Sequence, residues 1–150
     1  MTISKIKILH DMLKSGEISC VELTQKYIDS IKAENDKLNA YVFTTEDLAL
    51  EQAKAVDEKI KNGEEIGLLE GIPMTLKDNI STNGIETTCC SKILTGYKPI
   101  YDAFVWNELK KQGAILLGKT NMDEFAMGST CETSYYGGAS NPHNLNHVPG

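Results

Sequence analysis

The sequence is poor in the features that mark secreted, nucleic-acid-binding and membrane proteins. Only four of its 150 residues are cysteine, and none forms a Cys-x-x-Cys pair, so reduced thiols in the cytoplasm are expected rather than a zinc site or disulfide framework. Lys+Arg (15) fall short of Asp+Glu (21), and the formal net charge of -6 disfavours direct binding of nucleic acid. No apolar run approaches the roughly 18 residues of a membrane span. The N-terminus also has no signal-like apolar core.

The first part of the chain is predicted to be mostly helical. Apolar periodicity predicts a helix over Ile3–Lys14 that ends at Gly16, and a second helix from the Ser19-x-x-Glu22 capping box to about Glu34. A short strand is expected within 39–44. A third helix is predicted to be capped by Thr44, with Asp47 in the place of the usual Glu, and to end at Asn62-Gly63.

Helices and strands alternate in the second part. Strands are predicted over 71–77 and 114–117, the latter an unbroken apolar run of the kind that is buried on both faces of a sheet. A short buried helix is expected over 87–94, and a longer one over 103–112, capped by Asp102 with Val105 and Leu109 facing inward. This order indicates an α/β fold in which helices cover both faces of the sheet.

The stretch Gly-Ile-Pro-Met-Thr-Leu-Lys-Asp-Asn at 71–79 places a lysine, Lys77, at the carboxyl end of the predicted strand, and Asp78 and Asn79 begin the loop that follows. Ligands bind at that end of the strands in open α/β sheets. Lys77 is either an ordinary solvent-exposed lysine or a buried one, since burial favours the neutral amine that can accept a proton from a serine hydroxyl. Asp78 faces the opposite way from Lys77 along a strand and is poorly placed to pair with it.

Two other patterns resemble ligand-binding motifs but do not predict a binding site. Residues 113–120 match the nucleotide-binding pattern G-x-x-x-x-G-K-[ST], but their apolar centre reads as a strand and a helix precedes it, so no phosphate loop is expected. His143 and His147 are spaced i, i+4, but the surrounding Pro and Asn residues disfavour a helix, and no metal site is expected.

The run Asn-Met-Asp-Glu-Phe-Ala-Met-Gly-Ser-Thr at 121–130 follows the second strand on the ligand side of the sheet. Asn121 is predicted to cap a short helix whose positive end carries Asp123 and Glu124. The small residues Gly128 and Ser129 would let a substrate approach the backbone closely.

Together, the motifs at 71–79 and 118–130, Asn141-Pro and Val148-Pro-Gly resemble the amidase signature family, and the 121–129 run looks most like the amidase subunit of tRNA-dependent amidotransferases. The resemblance implies an α/β/α sandwich around a mixed sheet, preceded by helices. It implies that Lys77 is the catalytic lysine of a Ser-cisSer-Lys triad and that Met127, Gly128 and Ser129 lie near the substrate amide. It also implies glutamine as ammonia donor and partner subunits B and C, with tRNA held mainly by the B subunit. No cofactor is expected in this chain, whereas the complex would use ATP and Mg.

The chain stops in a turn-rich segment, so we expect it to be the N-terminal portion of one amidase domain, with helices over 1–65 and the start of the sheet and active site over 66–150. The resemblance places both triad serines beyond residue 150, and the chain alone is therefore expected to be inactive. Three hypotheses stay open: the glutaminase subunit of a cytoplasmic amidotransferase, a stand-alone amidase of the same family, and a non-catalytic product.

Overall fold

The computed structural model describes residues 4–149. Seven helices and strands are connected by loops, with two short 3-10 turns at Lys92–Leu94 and Glu124–Ala126. In chain order they are α1 (Lys5–Ser15), α2 (Cys20–Leu38), β1 (Tyr41–Thr44), α3 (Glu46–Lys61), β2 (Pro73–Lys77), α4 (Phe104–Lys111) and β3 (Ile115–Thr120). In the described part of the chain, no helix has the length and apolar character needed to cross a membrane.

The sheet is mixed, and β3 is its central strand. The strand order is β1-β3-β2, with β1 antiparallel and β2 parallel to β3. The predicted α/β fold is therefore confirmed. Because β3 has a neighbour on each side, its hydrogen-bonding groups are used along both edges, and the carboxyl ends of β2 and β3 lie side by side.

Helices cover both faces of this sheet, as the apolar run in β3 predicts. Ile115 and Leu117 pack into the larger core with buried side chains of α1, α2 and α3. Leu116 points to the other face, where it packs with Leu76 of β2 and Trp106 of α4. Successive strand residues alternate between the two faces, so an unbroken apolar run is stable only where both faces are covered.

The local signals at the helix ends are confirmed for α1 and α2. Gly16 adopts a left-handed conformation at the end of α1, and Ser19 and Glu22 form the predicted capping box at the start of α2. The helix α2 runs one turn beyond the predicted Glu34 and ends at Asn39, which is also left-handed. Ile3, the predicted start of the first helix, lies outside the described residues.

Two predicted helix caps are wrong because the two residues are engaged elsewhere in the fold. Thr44 is the last residue of β1 and pairs with Gly118, so Thr45 takes the N-cap position of α3 and its hydroxyl donates to Leu116 O at 2.7 Å. Asp102 does not cap α4, which begins after Ala103; its carboxylate instead accepts a hydrogen bond from Asn83 N at 2.6 Å.

The predicted buried helix over 87–94 is also wrong. That segment is a loop followed by the 3-10 turn Lys92–Leu94, because Cys89 and Cys90 have positive φ angles and the amide of Cys90 donates to a carboxylate. In α4, Val105 is 48% exposed rather than facing inward, and Trp106 is the buried side chain. Leu109 packs against the smaller core as predicted.

Candidate active site

A cavity of about 290 Å³ opens at the carboxyl ends of β2 and β3. Lys77 and Thr120, the last residues of the two strands, are paired in the sheet and both line the cavity. The loop that follows β3 supplies much of the remaining wall, including Gly128 and Ser129. The predicted site residues Lys77, Gly128 and Ser129 therefore surround one cavity.

Met127, the remaining predicted site residue, lies apart from this wall. Its side chain is 76% exposed and is not among the residues that line the cavity. The roles of Lys77, Met127, Gly128 and Ser129 toward a substrate stay predictions.

Lys77 is exposed in the described residues 4–149, which agrees with the first of the two alternatives, an ordinary solvent-exposed lysine; burial of its amine in a complete domain stays a prediction. The reason is its place in the strand: Leu76 points into the smaller core, and Lys77, one residue later, points to the opposite side, where the cavity is open. Asp78 is fully buried and faces away from the cavity, which confirms that these two neighbours are poorly placed to pair.

The lysine that is buried is Lys119, near the end of β3. Its Nζ donates to Ile80 O and to Thr87 Oγ1, both at 2.8 Å, and lies 3.6 Å from Asp78 Oδ1. Burial lowers the pKa of Lys119, whereas the carboxylate of Asp78 raises it and so opposes that shift. Sequence inspection missed this pair, whose members come together only when β2 and β3 align.

A β-bulge explains why Lys119 points inward. Between their pairings with Met74 and Leu76, β3 advances from Leu116 to Lys119 and carries one more residue than β2 does. The extra residue turns Lys119 toward the face that holds Leu116 instead of leaving it on the face of Leu117. Most of residues 113–120 thus belong to the strand β3, which carries a buried lysine, and this confirms that they are not a phosphate-binding loop.

The cavity loop after β3 is organised by the buried carboxylate of Asp123. Its oxygens accept hydrogen bonds from Cys131 N at 2.8 Å, Thr130 N at 3.1 Å, and Thr133 N and Oγ1 at 3.2 and 2.9 Å. These bonds, led by the one from Cys131 N, hold the pKa of Asp123 below its usual value. A Cβ added to Gly128 would lie 2.4 Å from Asp123 Cγ, so the close approach of the loop requires glycine there.

The helix that was predicted to begin at Asn121 does not form. Only the 3-10 turn Glu124–Ala126 forms, and Asp123 binds the amides of residues further along the loop instead of a helix end. The side-chain amide of Asn121 donates to Asn39 O at 2.9 Å and Gly137 O at 2.8 Å, so it joins the loop to the end of α2.

The described residues 4–149 contain no group of three or more His, Cys, Asp or Glu side chains that could hold a metal ion. His143 and His147 lie in a segment of turns rather than on a helix. The polar residues that line the cavity are Lys77, Thr120, Asn121, Asp123, Ser129 and Cys131.

Comparison with known proteins finds matches to both the sequence and the fold of this chain. The sequence model of the Amidase family matches residues 22–150. The A subunit of the glutamyl-tRNA(Gln) amidotransferase from Thermoanaerobacter pseudethanolicus is 51% identical over 142 residues, which are 95% of this chain and 29% of that protein. The protein of the same name from Nostoc punctiforme is 50% identical over 147 residues, 98% of this chain and 30% of that protein. The chain thus spans less than a third of the length of these relatives.

Solved amidase structures share the fold. The peptide amidase of Stenotrophomonas maltophilia superposes with a TM-score of 0.89 at 33% identity, covering 97% of this chain and 31% of that one. A bacterial aryl acylamidase of the amidase signature family gives a TM-score of 0.91 at 27% identity, covering 97% and 30%. The mixed sheet and its helices are therefore arranged as in the corresponding part of these enzymes.

Proposed function

Since this chain belongs to the amidase family, we propose that it forms the amino-terminal part of the glutamine-hydrolysing subunit of a glutamyl-tRNA(Gln)/aspartyl-tRNA(Asn) amidotransferase. The observation that carries the proposal is the level of identity, 51% to the Thermoanaerobacter amidotransferase protein against 33% to the Stenotrophomonas peptide amidase. The cavity between Lys77 and the loop at Gly128 and Ser129 supports it, because it brings an amine and small residues to one place.

In the proposed reaction, a serine attacks the side-chain amide of glutamine. The serine's proton passes through a second serine, in a cis peptide, to the amine of Lys77. Ammonia leaves, and water then hydrolyses the acyl-enzyme. Both serines belong to the segment expected after residue 150, and covering of Lys77 by that segment would supply the desolvation that favours a neutral amine. The 150-residue chain alone is accordingly proposed to be inactive.

The other substrates and partners belong to the proposed complex. Subunits B and C complete a heterotrimer in the cytoplasm, and the ammonia amidates a misacylated tRNA that the B subunit holds. The formal net charge of -6 supports tRNA binding outside this chain, because contacts with phosphates need clustered positive charge. ATP and Mg are used by the complex, and not at residues 113–120, most of which form β3 and do not fit a phosphate cradle.

The test replaces the corresponding segment of the Thermoanaerobacter protein with this chain and co-expresses the hybrid with subunits B and C. Ammonia release from glutamine is expected, and Lys77→Met should lower kcat by about 10²–10⁴-fold, the usual contribution of a general base. Lys98→Met is the matched control, because Lys98 is exposed and does not line the cavity.

Three outcomes would contradict parts of the proposal. Full turnover in Lys77→Met would exclude Lys77 as the base. Hydrolysis of simple amides but not glutamine, without partner subunits, would favour a stand-alone amidase like the peptide amidase. Hydrolysis of glutamine by the 150-residue chain alone would show that no further serines are needed.

A further inference from the structure

A buried ion pair, Asp78 and Lys119, lies beneath the carboxyl ends of β2 and β3. Both side chains are 0% exposed, and Lys119 Nζ is 3.6 Å from Asp78 Oδ1. A buried charge is retained only where partners offset the loss of water, and here each member has further hydrogen bonds. Neither side chain lines the cavity, so the proposed reaction gives the pair no direct task.

Each member of the pair fastens the segment 80–90 to the strand ends. Lys119 Nζ donates to Ile80 O and Thr87 Oγ1 at 2.8 Å. Asp78 Oδ2 accepts from Thr88 Oγ1 at 2.5 Å, Thr88 N at 3.1 Å and Cys90 N at 3.2 Å. The segment therefore has a fixed position relative to β2, whose last residue is Lys77.

The same segment holds the loop that forms the opposite wall of the cavity. Cys89 O accepts from Phe125 N at 3.0 Å, and Cys90 O accepts from Tyr135 N at 2.9 Å. These two contacts lie on either side of residues 127–129. Cys89 and Cys90 have φ angles of 52° and 51°, which L-residues rarely adopt unless their surroundings impose them. Cys89 N donates to the main-chain oxygen of Asp78 at 3.0 Å and Cys90 N to its carboxylate Oδ2 at 3.2 Å, so Asp78 is part of those surroundings.

From this connectivity we infer that Asp78 and Lys119 are positioning residues that set the loop at Met127–Ser129 against Lys77, and so fix the width of the substrate cavity. The inference rests on the proposed function, because it assigns the loop and Lys77 to one reaction. Neither residue touches the substrate. Their effect passes through the backbone of Cys89 and Cys90.

The first test measures amide hydrogen exchange in the 150-residue chain and needs no activity. Two variants, Lys119→Met and the double variant Lys119→Met/Asp78→Asn, are compared with the parent. The double variant leaves no unpaired buried charge, so it is the variant more able to fold. We expect exchange at the Phe125 and Tyr135 amides to accelerate about ten-fold or more relative to amides of α2, the range of a sub-global opening. An unchanged ratio in the double variant would overturn the inference.

The second test uses the hybrid protein with its partners, with rates given per titrated active site. Lys119→Met should lower kcat for glutamine by about a hundred-fold, as a 1 Å misplacement can, and should raise KM as well. A purely structural role would reduce the amount of active enzyme and leave KM unchanged, which would overturn the inference. Lys59→Met is the matched control, because Lys59 pairs with Glu70 at the surface at 2.6 Å.

The two tests separate this inference from the proposed function. A parent hybrid that releases no ammonia would refute the proposed function, and the exchange ratio would then decide whether the ion pair positions the loop. Normal ammonia release, together with unchanged KM in Lys119→Met, would refute the positioning role alone.

Discussion

Replacing Gly118 with alanine should separate β1 from β3 and so loosen the sheet that carries the candidate site. Gly118 lies in the central strand with a φ of 155°, where side chains are rare. An added Cβ would lie 2.2 Å from Phe43 O and 3.0 Å from Thr44 Cα, both in the backbone of β1. Backbone atoms cannot rotate away, so the strands must move apart.

The expected loss of stability has two parts. A residue forced into a sparsely populated backbone region costs about 1–3 kcal/mol. Overpacking of a filled site costs about 1–3 kcal/mol more. The sum of about 2–6 kcal/mol is a large share of the 5–15 kcal/mol typical of a domain. With a urea m-value of about 1–3 kcal/mol/M, the midpoint should fall by roughly 1 M or more.

Urea unfolding followed by tryptophan fluorescence measures this loss, because Trp106 is the single tryptophan and is 2% exposed. Gly84→Ala is the matched control: Gly84 has a φ of +72°, but an added Cβ would meet nothing within 4 Å. It should lose only about 1–2 kcal/mol, the cost of a left-handed backbone. Equal losses at the two glycines would refute the argument from the contact with β1.

Three further predictions concern single side chains. Ser19→Ala should cost about 0.5–2 kcal/mol in the same urea assay, since it removes the capping box of α2. Burial raises the pKa of Cys20 to about 12 and that of Cys90 to about 11. A disulfide reagent at pH 8 should therefore label the half-buried Cys89 first, as followed by mass spectrometry. Rapid labelling of Cys20 would contradict this prediction. Hydrogen bonds lower the pKa of Asp123 in the folded state, so its stabilising effect is present above the ordinary value of 3.8 and is lost as pH falls through the folded value. As the pH is lowered from 5 into the acid range, the Asp123→Asn variant should therefore lose less stability than the parent. Urea midpoints that fall equally with pH in the two proteins would refute this prediction.

The sequence allowed prediction of those elements whose signals are local. The apolar run of β3, the Ser19 capping box and the helix end at Gly16 depend on residues a few positions apart, and each is confirmed. The caps assigned to Thr44 and Asp102 failed because distant parts of the chain engage these residues. The pairing of Thr44 with Gly118 extends β1 by one residue, and the carboxylate of Asp102 accepts a hydrogen bond from Asn83 N.

The buried ion pair beneath the site could not be predicted from the sequence, because it too depends on residues that are far apart along the chain. A lysine after Gly118 looks like a strand-end or phosphate-binding residue, and only the bulge in β3 directs it toward Asp78. The role of Asp123 could not be predicted either, because its carboxylate accepts hydrogen bonds from residues such as Cys131 only after the loop has folded back on it. By contrast, the sequence did allow the prediction that Lys77 lies at a ligand-binding position, because it stands at the carboxyl end of a strand, and it does line the cavity.

The central position of β3 also bears on the order of events during synthesis. The helices α1, α2 and α3 leave the ribosome before Ile115 and Leu117, the strand residues that complete their shared core. Until then their apolar faces lack a partner, and the nascent segment is open to chaperones and to aggregation. Since β1 and β2 can join a sheet only through the later strand, we expect the described region to acquire its fold in one late step, governed by long-range pairing.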